Sequence, residues 1–387
     1  LTYDDFGTLL LVGMAMKTRR VALVIFSLEG GGAERTMVGM ANYWAEQGWE
    51  VHLFTLIDDS EPPAYELNEK AVVTPLRVWA RDRRSIARPD NLARLWRVRS
   101  AIRRSRAECV ISFMDKTNIT VLIAAKWLGI PVIVSERIYA PMFPLDRFWD
   151  RLRSRTYLWA DAAVFPTRRA VDCFVPHLGT RAVVIPNAVY APSITAEPKR
   201  AAGGTKTVYA MGRLEHQKGF DILLRAFAAV KDKQSDWELT ILGEGPLRSH
   251  LERLIRDLGL SGRAHLPGWV PNPARLLHDG DLFVLSSRFE GFPNSLCEAM
   301  ACGIPVISAD CPTGPDEIVR HDVDGILVPT EDVAALAAAM DRLMSNEVER
   351  RELAKRAPEI LERFAPDKIM AQWEDLLDRV IERPRDV

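Results

Sequence analysis

The sequence has little of what marks several classes of protein. Its five cysteines, Cys109, Cys173, Cys297, Cys302 and Cys311, are odd in number and form no C-x-x-C pair. Neither a disulfide framework nor a cysteine zinc site is expected, and a reducing compartment fits. No apolar run reaches the roughly 20 residues of a membrane-spanning helix. The early stretch 9–16 follows Asp4 and Asp5, the wrong sign for a secretory leader. Net charge is nearly absent, with 51 Lys+Arg against 52 Asp+Glu, which excludes a globally basic nucleic-acid binder. Short-period repeats are missing too. What is present is 48% hydrophobic residues in a chain of 387, enough for packed cores and long enough to expect two domains. The chain opens on Leu1, with Met14 and Met16 just before Lys17, so residues 1–16 are expected to be upstream or artificial sequence.

Charge is uneven along the chain. Residues 1–190 hold 26 basic against 20 acidic side chains, and residues 191–387 hold 25 against 32. Between Arg77 and Arg106 lie 11 arginines and only two acids, Asp82 and Asp90. Within that stretch 91–106 reads as a helix, with Leu92, Leu95, Trp96 and Ile102 at helical spacing among arginines. Two readings stand open: a basic amphipathic helix on an anionic membrane surface, or a solvated helix whose apolar stripe packs on its own domain.

Apolar runs alternate with helical periods throughout. Strands are expected at 21–27, 51–56, 72–76, 110–113, 131–135, 162–165 and 182–185, with helices between them. Near-continuous Val/Ile runs of this kind belong to parallel strands buried on both faces. The texture breaks at 186–205, rich in Pro and Gly, then alternation resumes at 208–211, 239–242, 264–266, 282–285, 306–308 and 326–328. The expected fold is therefore α/β: two doubly wound domains, 1–190 and 191–365, joined by a hinge, with a final helix in 366–387. Ligands of such sheets bind outside the carboxyl ends of the strands.

The distinctive motifs fall at strand ends. Gly30-Gly31-Gly32-Ala33-Glu34-Arg35 joins the first strand to its helix, where glycines allow close approach and free N–H groups face an anion. A dinucleotide fingerprint would need glycine at position 35; Arg35 stands there, and Asp58 or Asp59 cannot rescue the pattern. Arg213 and Lys218 lie in Gly212–Gly219 after the first strand of the second half, two cations suited to binding a diphosphate and stabilising a departing one. Gly243 and Val270 follow two further strands as weaker candidates. Glu290-Gly291-Phe292-Pro293-Asn294-Ser295 enters a helix bearing Glu298, placing one carboxylate on a loop for sugar hydroxyls and another deeper for a ribose diol. Paired carboxylates also occur in glycosidases, but acids beside a cationic diphosphate site suit a sugar nucleotide better. Asp322-Val323-Asp324 has a metal-nucleotide form yet precedes Gly325 and a strand, so it reads as a surface turn, and no metal requirement is expected.

These motifs, in this order, resemble glycosyltransferase family four, retaining enzymes of GT-B architecture, over nearly the whole chain from about Arg20. The resemblance implies two Rossmann-like domains facing across a cleft, with the nucleotide sugar held mainly by the second. It implies that Arg213 and Lys218 grip the diphosphate, Glu290 meets the donor sugar and Glu298 the ribose. Gly31 and Gly32 would approach on closure, and Gly243, Val270, Pro293, Asn294 and Ser295 would complete the donor site. Thr313-Gly314-Pro315-Asp316-Glu317-Ile318 resembles a stretch of bacterial members that build cell-surface glycans. Many members carry a histidine after the fifth strand; here the stretch is Ser135-Glu136-Arg137. Asp115, Glu136 and Arg137 are the acceptor-side candidates, with ordinary loop salt bridges as the alternative.

The implied activity is retaining transfer of a hexose or N-acetylhexosamine from a nucleoside diphosphate sugar, UDP favoured, to a glycan or lipid-linked acceptor. It would need no cofactor and would take place in the cytoplasm or on the inner membrane face, with Arg77–Arg106 toward the lipid. The alternatives are a sugar-nucleotide epimerase of the same architecture and a noncatalytic sugar-nucleotide-binding protein.

Overall fold

The computed structural model describes residues 18–58, 62–79, 91–172, 174, 178–192, 204–271 and 273–383. The expectations for residues 1–16, for Asp59, for most of the arginine run between 80 and 90, for Cys173 and for the centre of the hinge lie outside these.

Two parallel sheets make up the molecule. The first has seven strands: β1 Arg20–Ile25, β2 Glu50–Thr55, β3 Val72–Pro75, β4 Cys109–Phe113, β5 Val132–Ser135, β6 Ala162–Phe165 and β7 Ala182–Val184. Their order is β3-β2-β1-β4-β5-β6-β7. The second has six: β8 Lys206–Met211, β9 Trp237–Leu242, β10 Ala264–Gly268, β11 Leu282–Leu285, β12 Val306–Asp310 and β13 Ile326–Pro329, in the order β10-β9-β8-β11-β12-β13. Every expected strand is found, with ends shifted by a residue or two. The central ones are buried on both faces, as helix-covered parallel strands must be; edge strand β3 is largely exposed.

In each sheet the order reverses beside the first strand, so β1/β4 and β8/β11 are the switch points where a crevice opens. Helix α1, Gly32–Glu46, starts at the first, burying Met37, Met40, Ala41, Trp44 and Ala45 at helical spacing. On the opposite side of that sheet lie α2 Asn91–Ser105, α3 Asp115–Ala125 and α4 Arg147–Thr156, with α3 between the other two. The Asp146 side chain starts α4 by accepting hydrogen bonds from the Phe148 and Trp149 N–H groups, both at 3.1 Å. In the second half α5, Phe220–Val230, follows β8 and α6, Asn294–Ala301, follows β11.

The last helix, α7 Pro366–Glu382, crosses back to the first domain. Trp373 packs beside Phe113 with ring centroids 6.4 Å apart, Glu374 accepts from the Trp44 indole at 3.1 Å, and Asp378 pairs with Arg19. One apolar cluster thus runs from β1 and α1 through α7 to α6.

Candidate active site

Lys218 and Glu290, 72 residues apart in sequence, meet at the β8/β11 switch point: the ammonium donates to Glu290 Oε1 at 2.7 Å. Both side chains are largely buried, at 18% and 6% exposure. Ser287 Oγ donates to the same carboxylate oxygen at 2.6 Å. Gly219 takes a left-handed φ of 62° and a Cβ there would lie 2.1 Å from the Ser286 carbonyl, so only glycine lets the Lys218 loop lie this close to β11. Arg288 ties the loops together, with two bonds to Asp221 at 2.8 and 2.9 Å and one to the His216 carbonyl. Arg213 is different: it projects from the same loop, 71% exposed, with Glu215 as its neighbour at 3.0 Å.

Facing this constellation is the glycine loop of the first domain. Gly31 is extended and precedes α1; a Cβ on Gly32 would lie 3.1 Å from Asn294 Nδ2, which donates to the Gly32 carbonyl at 3.1 Å. Asn294 Oδ1 in turn accepts from Asn187, whose own Oδ1 accepts from Arg137 at 2.6 Å. The two domains therefore touch at the start of α6, where Pro293 precedes the first turn and Asn294 and Ser295 are half-buried. Glu298, one turn on, does not stand free. It forms an ion pair with Arg35 of α1, and burial raises its carboxyl above the ordinary range while Arg35 opposes the rise.

Other expectations resolve differently. A Cβ on Gly243 would lie 1.9 Å from the Gly212 carbonyl oxygen, so backbone packing by itself requires a glycine there. Val270 is half-buried, and Trp269 beside it is 58% exposed and borders Gly30 across the cleft. Among the acceptor-side candidates only Asp115, in the first turn of α3, is accessible; Glu136 and Arg137 are 4% and 8% exposed. Neither forms an ion pair among the described residues, so the loop salt-bridge alternative fails. Glu136 accepts from the Tyr157 hydroxyl, and burial with Asp115 nearby lifts its carboxyl to about 7. Arg137 lies over the Phe113 ring at 3.9 Å, and burial lowers it to about 9. The 322–324 turn is only partly superficial: Asp324 is wholly buried and accepts from Arg320. The described residues contain no cluster of three or more potential metal ligands. Sequence reasoning missed Arg35 as a site residue, having used it only against a dinucleotide site, and missed Asn187 and Ser287, which no motif marks.

Comparisons with known proteins bear on the family and the fold. The sequence pattern of the family "Glycosyl transferases group 1" matches residues 194–360, and that of the "Glycosyl transferase 4-like domain" matches residues 31–188. The alpha-1,4-N-acetyl-D-galactosaminyltransferase of Campylobacter jejuni named for a diNAcBac-PP-undecaprenol glycan is 27% identical over 365 residues, spanning 93% of this chain and 99% of that one. An exopolysaccharide phosphotransferase of Streptomyces coelicolor is 38% identical over 230 residues; the match spans 58% of this chain but only 24% of that protein. S. aureus TarM, solved with fondaparinux, alpha-GlcNAc-glycerol and UDP, shares the fold with a TM-score of 0.79 at 13% identity, over 93% of this chain and 100% of that one. With its two halves matched by the two glycosyltransferase patterns and its two sheets arranged as in GT-B structures, this chain belongs to the GT4-type glycosyltransferases.

Proposed function

We propose that this glycosyltransferase moves a hexose or N-acetylhexosamine, with retained configuration, from a nucleoside diphosphate sugar to a hydroxyl of a growing cell-surface glycan. The observation that carries the reading is the Lys218–Glu290 pair at the second switch point, with the exposed Arg213, paired with Glu215, on the same loop and the start of α6 opposite the glycine loop. In the proposed reaction the bond from the anomeric carbon to the diphosphate breaks and a bond to the acceptor oxygen forms on the same face. The acceptor proton passes to the departing phosphate oxygen, so no enzyme nucleophile is used. Lys218 and Arg213 stabilise the charge that develops there, while Glu290 holds the sugar and Glu298 the ribose. Side chains rather than a metal meet that charge in this proposal, so transfer should survive chelation by EDTA. UDP is the proposed nucleotide, supported by its presence in the TarM complex. A lipid-linked glycan acceptor at the inner membrane face is supported by the PP-undecaprenol in the name of the Campylobacter relative.

A thermal-shift screen over nucleoside diphosphates tests the donor assignment, since a ligand at 100 times its Kd stabilises by about 2.7 kcal/mol. Lys218→Ala and Glu290→Ala should each retain the fold and lose on the order of a hundredfold in transfer rate, about 3 kcal/mol of transition-state stabilisation. Wild-type rates in both would remove the site. Conversion of donor in the absence of any acceptor would instead favour an epimerase.

A further inference from the structure

Helix α2 uses only part of its apolar surface for packing. Val98, Ala101 and Ile102 turn inward and are buried, whereas Leu92 and Trp96, one turn apart, are 80% and 65% exposed. The stripe seen in the sequence is therefore split, and its aromatic half faces outward. Helix α4 repeats the pattern. Trp149 is buried, while Phe148 is 60% exposed and shares its outward face with Arg151 and Arg155 at helical spacing. The turn after α3 carries Trp127, the most exposed of these at 86%.

These features form one continuous surface. Arg99 of α2 donates to the Ala124 and Lys126 carbonyls at 2.9 and 2.6 Å, joining α2 to the Trp127 turn. The Lys126 ammonium lies 5.0 Å from the Trp127 ring centroid and 3.3 Å from that of Trp159, just beyond α4. Around the aromatics the exposed charges are mainly basic: Arg97, Arg103, Arg104, Arg151 and Arg155. Of the nearby acids, Asp146 caps α4 and Asp150 pairs with Arg153 at 2.7 Å. Large exposed aromatics interleaved with arginine and lysine suit the headgroup layer of an anionic bilayer, where rings enter the interface and cations meet phosphate.

The surface is also correctly oriented for an acceptor carried by lipid. Arg97 reaches the Arg77 carbonyl just past the end of β3, and Arg106, past the end of α2, is met by Arg20 at the start of β1. The half of α2 bearing Leu92 and Trp96 thus lies at the carboxyl ends of the strands, beside the cleft. At that same end Trp149 lies beside Lys116 of α3, and Phe143 meets Phe289 of the second domain edge-on at 5.2 Å. We infer that the outer face of α2, the Trp127 turn and α4 docks on an anionic bilayer and brings the rim of the cleft to it. The inference deepens the lipid-linked acceptor reading and rests on it for its purpose.

Co-sedimentation with vesicles tests it using neither donor nor acceptor, so its failure would leave the transfer reading intact. The whole protein should pellet at low salt with vesicles of equimolar phosphatidylcholine and phosphatidylglycerol, be released at high salt, and ignore pure phosphatidylcholine. Arg103→Glu with Arg151→Glu should weaken partitioning at least about tenfold. Trp96→Ser with Trp127→Ser should weaken it several-fold, because these rings are outside the core. Each double variant should keep the wild-type melting temperature and the thermal shift given by the nucleoside diphosphate. Absence of binding at low salt, or binding at the wild-type level by both variants, overturns the inference. So does a wild-type dimer in solution that either variant dissolves, because the face would then belong to a second copy.

Discussion

Glu136 is the residue whose surroundings most change its chemistry. Desolvation is the largest cause, Asp115 adds to it, and the Tyr157 hydroxyl and Arg153 oppose it; the outcome is a carboxyl that keeps its proton up to about 7 against an ordinary 4.5. Between those two values the folded chain binds a proton that the unfolded chain has already released. Stability from this group is therefore fully present below 4.5 and lost as the pH rises through 7. The loss amounts to roughly 3 kcal/mol. Glu136→Gln keeps an acceptor for Tyr157 but cannot ionise. Its melting temperature should track that of the wild type in mild acid and exceed it at alkaline pH. A constant difference across that range would mean the carboxyl does not titrate there.

Elements were legible in the sequence where one run of residues determines them, and illegible where distant runs meet. The alternation of buried strands with helices, the break before β8 and the last helix all follow from local period and composition. The partner of α7 does not, because Trp44 and Phe113 lie far away in the chain and nothing near 366–382 marks them. The α2 stripe shows the same limit: helical spacing groups Leu92, Trp96 and Ile102, but only the packed sheet decides which of them turn inward. Gly243 reads two ways in the sequence, because loops that hold ligands and loops that pass another backbone closely need the same residue. The packing of α7 makes a testable claim. Trp373 is 1% exposed and joins Phe113 and Arg137 of the first domain. Trp373→Ala should cost about 3–5 kcal/mol, as expected for a fully buried tryptophan. The loss should show in the unfolding of the first domain, which a shift confined to the second-domain transition in urea would contradict.

The whole molecule is held across the cleft by polar contacts as well as by α7. Arg169 pairs with Asp316 at 2.9 Å, the Arg168 N–H donates to Glu317 at 2.8 Å, and Asn294 bridges to Gly32. The Arg35–Glu298 pair belongs to this set but differs in one respect, since Glu298 is also the carboxylate proposed to hold the ribose. Arg35 holds Oε1 of that carboxylate, so a ribose diol that takes both oxygens has to displace it. In Arg35→Met that competition disappears, and burial alone would then favour the protonated form of Glu298. The variant should bind nucleoside diphosphate several-fold more tightly than wild type at alkaline pH, and this advantage should shrink in acid as Glu298 takes up a proton. In the Glu298→Gln background the same substitution should change affinity little, because the contested charge is gone. Isothermal titration of the four proteins at two pH values measures that coupling directly. Weaker binding by Arg35→Met in both backgrounds would show instead that Arg35 itself contacts the nucleotide, whereas unchanged binding by Glu298→Gln alone would locate the ribose elsewhere.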